Sequence, residues 1–68
     1  MAKTKMAGRI RYVEDYMGYG EYFLFELKNG NDDWRLETAY HLVNDMIPYE
    51  ALSHICKWQT LGITFHFE

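Results

Sequence analysis

The amino-acid sequence predicts a small α+β domain, in which an antiparallel sheet of three to four strands carries one C-terminal helix, at about residues 48–61, packed on one face. Three observations carry this expectation. Phe23, Phe25 and Leu27 alternate along Glu21–Lys28, which puts them on one face of an extended segment. Turn residues bracket that segment, with Gly18-Tyr19-Gly20 before it and Asn29-Gly30 after it, and Asn-Gly between alternating runs is a strong hairpin signal. Finally, Pro48 and Gly62 enclose a stretch with a helical apolar stripe.

Taken in order, residues 1–7 offer little to bury and read as a flexible tail, leaving 8–68 as the single domain. Arg9–Val13 alternates as a first strand, with Ile10 and Tyr12 on one face and the two arginines on the other. The turn Glu14–Gly20 leads into the central strand. Asp33–Leu42 reads two ways. With period two, Trp34, Leu36, Thr38, Tyr40 and Leu42 share a face opposite Arg35, Glu37 and His41. With period 3.6, Leu36, Ala39, Tyr40, Val43 and Ile47 form a helical stripe capped by Asn31 or Asp32. The alternation is cleaner and the Asn-Gly turn favours a hairpin, so the strand is preferred, although residues 33–46 stay open between the two.

Pro48–Leu61 is the expected helix: Glu50 suits its positive end, Lys57 its negative end, and Gly62 stops it. Its stripe is Ala51, Leu52, Ile55 and Trp58, with Cys56 at the core edge. Ile63–Phe67 alternates again and points Ile63, Phe65 and Phe67 inward. The expected core is Ile10, Phe23, Phe25, Leu27, Leu52, Ile55, Ile63 and Phe65.

Composition bounds function. The 68 residues suffice for one small core, yet 49% are hydrophobic and 18% aromatic, more rings than one helix on a small sheet encloses. Some are therefore expected at an interface, and self-association as a dimer, through the Ile63–Phe67 edge or through uncovered sheet face, follows from that excess. A net charge of −3 disfavours binding driven by phosphate neutralisation and suits a partner protein with a basic surface. One cysteine allows no internal disulfide and points to a reducing compartment. The basic MAKTK start is followed by no apolar run, so no secretory signal, no membrane association and a cytoplasmic location are expected.

No catalytic or cofactor pattern stands out, and the chain is expected to be no enzyme and to need no cofactor. His41, His54, His66 and Cys56 match no zinc spacing, and Glu50 with His54 reads as a surface pair. Asp32 and Asp33 flank a turn, where Asp bonds locally. The run Gly8-Arg9-Ile10-Arg11-Tyr12-Val13, followed by Gly18-Tyr19-Gly20, resembles the opening of a cold-shock domain. That resemblance implies a five-stranded barrel binding single-stranded nucleic acid, with Tyr12 and Tyr19 stacking on bases and Arg9 and Arg11 near phosphate. Met17 and Glu21 stand where that family has a lysine and an aromatic.

The function ranked first is different. Asp15, Tyr16, Tyr19, Glu21 and Tyr22 make an acidic loop in which tyrosines supply contact area and glycines let the backbone conform. Compact, acidic, cofactor-free domains are a common format for virus-encoded inhibitors or adaptors that dock on a host nuclease, polymerase or defence complex. A protein-binding module using those five residues is the expectation, with nucleic acid as the alternative partner.

Overall fold

The structure is a computed structural model and describes residues 6–30, 33–44 and 46–68. Among them, four strands and one helix follow in the order β1 Met6–Val13, β2 Tyr22–Asn29, β3 Arg35–His41, α1 Tyr49–Leu61 and β4 Thr64–Phe67. The strand reading of 33–42 is therefore the observed one, and the helical alternative falls; its cap positions, Asn31 and Asp32, lie outside the described residues. β1 begins at Met6, so the last two residues assigned to the tail belong to the sheet, while the rest of that segment lies outside the described residues.

The sheet runs β3-β2-β1-β4. β1, β2 and β3 form the expected antiparallel meander, with Ile10 opposite Phe25 and Phe23 opposite Tyr40. β4 differs: it lies beside β1 and runs parallel to it, so the sheet is mixed. The helix supplies the reason. It carries the chain back along the sheet before β4 begins, and a strand that returns after such a crossover enters parallel to its neighbour.

Alternation gives the sheet two unlike faces. One bears Ile10 and Phe25, which form the buried cluster together with Ala51 and Trp58 of the helix; Phe23, Leu27, Tyr40, Ile55, Ile63 and Phe65 pack against it. Gly8 is part of that fit, because a Cβ there would stand 2.6 Å from Trp58 Cζ3. The other face carries charge: Arg9 Nε donates to Glu26 at 2.5 Å, Arg11 lies 3.6 Å from the same carboxylate, and the Arg9 guanidinium sits 4.3 Å from the Trp34 ring centre. Glu26 is only 9% exposed beside the buried Leu24 of the same face, and the paired arginines account for its buried carboxylate.

A register shift between Phe25 and Glu26 marks a β-bulge in β3. Thr38 still faces Phe25, but Leu36 rather than Glu37 faces Glu26. The expected grouping of Trp34 and Leu36 with Tyr40 therefore fails. The extra residue turns Glu37 to the cluster side, where it meets the helix, and Trp34 ends on the charged side over Arg9.

Pro48 takes the cap position at φ −61°, one residue before the helix proper. Gly62 closes the helix in the left-handed conformation at φ 78°, with Gly62 N–H on Gln59 O and Ile63 N–H on Trp58 O, a Schellman closure. Lys57 lies short of the last turn, which holds no basic residue. The helix is also rotated from the expected phase. Ala51, His54, Ile55 and Trp58 line the inner side, whereas Leu52 is 47% exposed and Cys56 is exposed. Phe67, expected inward, is 65% exposed because it lies on the edge strand.

Candidate functional site

The loop between β1 and β2 is built by backbone geometry. Met17, Gly18 and Gly20 all have positive φ, at 54°, 82° and 109°. Tyr16 N–H donates to Gly20 O at 2.8 Å and Tyr19 N–H to Tyr16 O at 2.9 Å, so the reversal is closed twice over. Side chains brace its root. Tyr16 stacks at a tilt on Tyr22, at 5.3 Å between centroids, and Tyr22 lies flat on His41 at 4.7 Å. Tyr12 O–H donates to the Glu21 carboxylate.

The five residues expected to form the site thus divide by role. Tyr16, Tyr22 and Glu21 hold the loop, each half-buried or bonded at its base. Asp15 and Tyr19 face outward, Tyr19 being 70% exposed. Met17, which the sequence reading passed over, is 76% exposed at the same tip.

A second segment joins it. Tyr22 pairs with His41, and Leu42 N–H donates to Glu21 O at 2.9 Å, which brings the β3–α1 connection beside the loop. That connection is tight, with Met46 N–H on Val43 O at 3.0 Å and Asn44 at φ 55°. Val43, Met46, Ile47 and Tyr49 are each at least half exposed. In the sequence Val43 and Ile47 sit on the helical stripe that the structure replaces with a strand, so nothing in the periodicity marks this segment as part of a site. Next to Ile47, a crevice of about 140 Å³ runs between Leu52, Ile55, Phe23 and Phe67, and every residue lining it is apolar.

The polar network of the fold lies elsewhere. His54 Nδ1 bonds the Tyr40 hydroxyl and His54 Nε2 bonds Glu37 Oε1, both at 2.8 Å, while Trp58 Nε1 donates to the same Glu37 oxygen at 3.1 Å. His54 is therefore no surface partner of Glu50. With both ring nitrogens engaged, the imidazole is a fixed strut that satisfies the buried indole through Glu37. Its ring also lies 4.6 Å from that of Phe25. Among the described residues, no three His, Cys, Asp or Glu converge as metal ligands. No helix of the described residues is long and apolar enough to cross a membrane.

The four residues implied by the cold-shock resemblance are spread over the fold. Tyr12 leans on Phe23 on the cluster face, Arg9 and Arg11 are paired to Glu26 on the other, and Tyr19 stands at the loop tip. Among the described residues, four strands with two open edges take the place of a five-stranded barrel. Compared with models of protein families, with curated proteins and with solved structures, the chain matches none.

Proposed function

We propose that the chain is a non-enzymatic protein-binding module, an inhibitor or adaptor in the format that viruses use against host nucleases, polymerases or defence complexes, and that it docks through the loop end of the sheet. One observation carries the reading. Met17 and Tyr19 at the loop tip, and Val43, Met46, Ile47 and Tyr49 in the segment that follows Leu42, whose N–H is bonded to Glu21 O at the root of the same loop, are each at least half exposed. Single exposed apolar residues need no explanation, but six of them in two segments joined at the loop root suit the composition of an interface centre. Glu14 and Asp15 beside it are exposed and would steer a basic partner surface.

Tyr19 is the expected anchor, since its ring stands at the tip of a loop whose backbone is already fixed. Partners captured on immobilised protein and identified by mass spectrometry supply the ligand for the test. Tyr19→Ala should weaken binding by about 2 kcal/mol, or roughly 30-fold, with the melting temperature unchanged. Leu36→Ala, at the far end of the sheet, should leave affinity as it is. Equal affinity for wild type and Tyr19→Ala removes the loop from the interface.

The charge test separates partner classes. Glu14→Lys with Asp15→Lys should slow association with a basic protein surface while dissociation changes little. If the true ligand were single-stranded nucleic acid, the same change would tighten binding, with a steeper dependence on salt. The sign of one measured effect decides.

A further inference from the structure

We propose that two copies of the chain join through the open edge of β4, antiparallel and centred on His66, into one continuous eight-stranded sheet. The loop end takes no part in this contact, so the inference stands apart from the docking function.

The backbone fixes which groups are available. β4 pairs with β1 on one side only, and Glu68 N–H donates to Ile10 O at 2.9 Å. Successive residues of a strand turn their peptide groups to alternate sides. Thr64, His66 and Glu68 therefore address β1, and Phe65 and Phe67 present N–H and C=O to the free edge. Ile63 cannot extend the set, because its N–H is already bonded to Trp58 O.

Those four groups define the register. An antiparallel partner with His66 opposite its own copy sets Phe65 against Phe67 twice, giving two mutually bonded residue pairs. Each pair is aromatic on the cluster face, the combination that most favours cross-strand contact. On the other face Thr64 stands opposite Glu68, so no carboxylate meets another. A two-fold interface requires such self-complementarity, and T-F-H-F has it.

The other edge explains why the partner is a second copy rather than an endless chain of copies. β3 is interrupted by the bulge and bears Arg35, Glu37 and His41, features that discourage a strand from adding there. β4 has no proline, lysine or bulge. Joining β4 to β3 of another copy would grow a filament; joining β4 to β4 closes. Phe67, 65% exposed, and the apolar crevice with Leu52 and Ile55 lie next to that edge and would be shielded by the second copy.

Sedimentation equilibrium of the full chain tests this. The average mass should rise from 8.2 kDa at low concentration toward twice that value at high micromolar concentration. Phe67→Glu should hold the mass at 8.2 kDa with the circular dichroism of the wild type, and Leu36→Glu, on β3, should dimerise like the wild type. Hydrogen exchange gives a readout that needs no variant, since the amides of Phe65 and Phe67 should become slower as concentration rises. A wild type that stays at 8.2 kDa throughout overturns the proposal, as does a Phe67→Glu variant that dimerises normally. In such a monomer, protection of those two amides by an extended peptide would assign the edge to a foreign strand.

Discussion

Phe25→Ala is expected to leave the chain largely unfolded at room temperature. Phe25 is 1% exposed and pairs with Ile10 on one side and Thr38 on the other, so it sits in the middle of the sheet. Its ring meets Tyr40 edge-on at 5.2 Å, Trp58 at 5.2 Å and His54 at 4.6 Å. Removing it strips contacts from three rings that other bonds hold in place: His54 by Tyr40 and Glu37, and Trp58 by Glu37. A site that cannot collapse keeps its cavity, and Phe→Ala in such sites costs about 3–5 kcal/mol. A domain below about 70 residues rarely has more than roughly that much stability in its core. Urea denaturation followed by tryptophan fluorescence checks the expectation, with Tyr49→Ala as the exposed control, expected within about 0.5 kcal/mol of wild type. A Phe25→Ala chain that melts cooperatively at the wild-type midpoint would show that the cluster is not the core.

That cluster also shows what was legible beforehand. Ile10 and Phe25 came from alternation alone, because a strand that buries one face must repeat every two residues. The helix came from Pro48 and Gly62, whose backbone preferences are local. Three features depended on distant partners. The bulge at Glu37 leaves no mark in the alternation of β3, and it is selected by what waits across the gap: the Trp58 indole and the His54 ring. The helix phase turned on the same contacts. Leu52 and His54 flank one stripe, hydropathy favours Leu52, and the structure buries His54 because Tyr40 and Glu37 satisfy both of its nitrogens. The parallel entry of β4 was set by the direction in which the helix returns the chain, which no pattern within Ile63–Phe67 encodes. At the candidate site, Tyr19 could be picked out by its two glycines. The contribution of Val43 to Tyr49 could not, because it reaches the loop through the pairing of Tyr22 with His41 and the Leu42 bond to Glu21.

Gly8→Val should destabilise the domain by about 3 kcal/mol, at the upper end of the usual cost of overpacking. The sign is the informative part. Valine suits a strand better than glycine, so at an open position this change would stabilise. Gly8 is not open: a Cβ built there lies 2.6 Å from Trp58 Cζ3, 3.0 Å from Cε3 and 3.1 Å from the Phe65 Cβ. The indole has no room to retreat, being 1% exposed, anchored by its N–H on Glu37 and set edge-on to both Phe25 and Phe65. Yielding would have to come from the helix backbone or from the separation of β1 and β4. Trp58→Leu alone should also destabilise, since it leaves a void above Gly8 and removes the indole bond to Glu37, which keeps only that from His54. Combined with Gly8→Val, however, it should cost less than the two single changes together, because the new methyls occupy part of that void. Chemical denaturation of the four members of this cycle measures the coupling. Strict additivity, or a Gly8→Val chain more stable than wild type, would mean that the indole does not rest on the glycine and that the helix meets the sheet somewhere else.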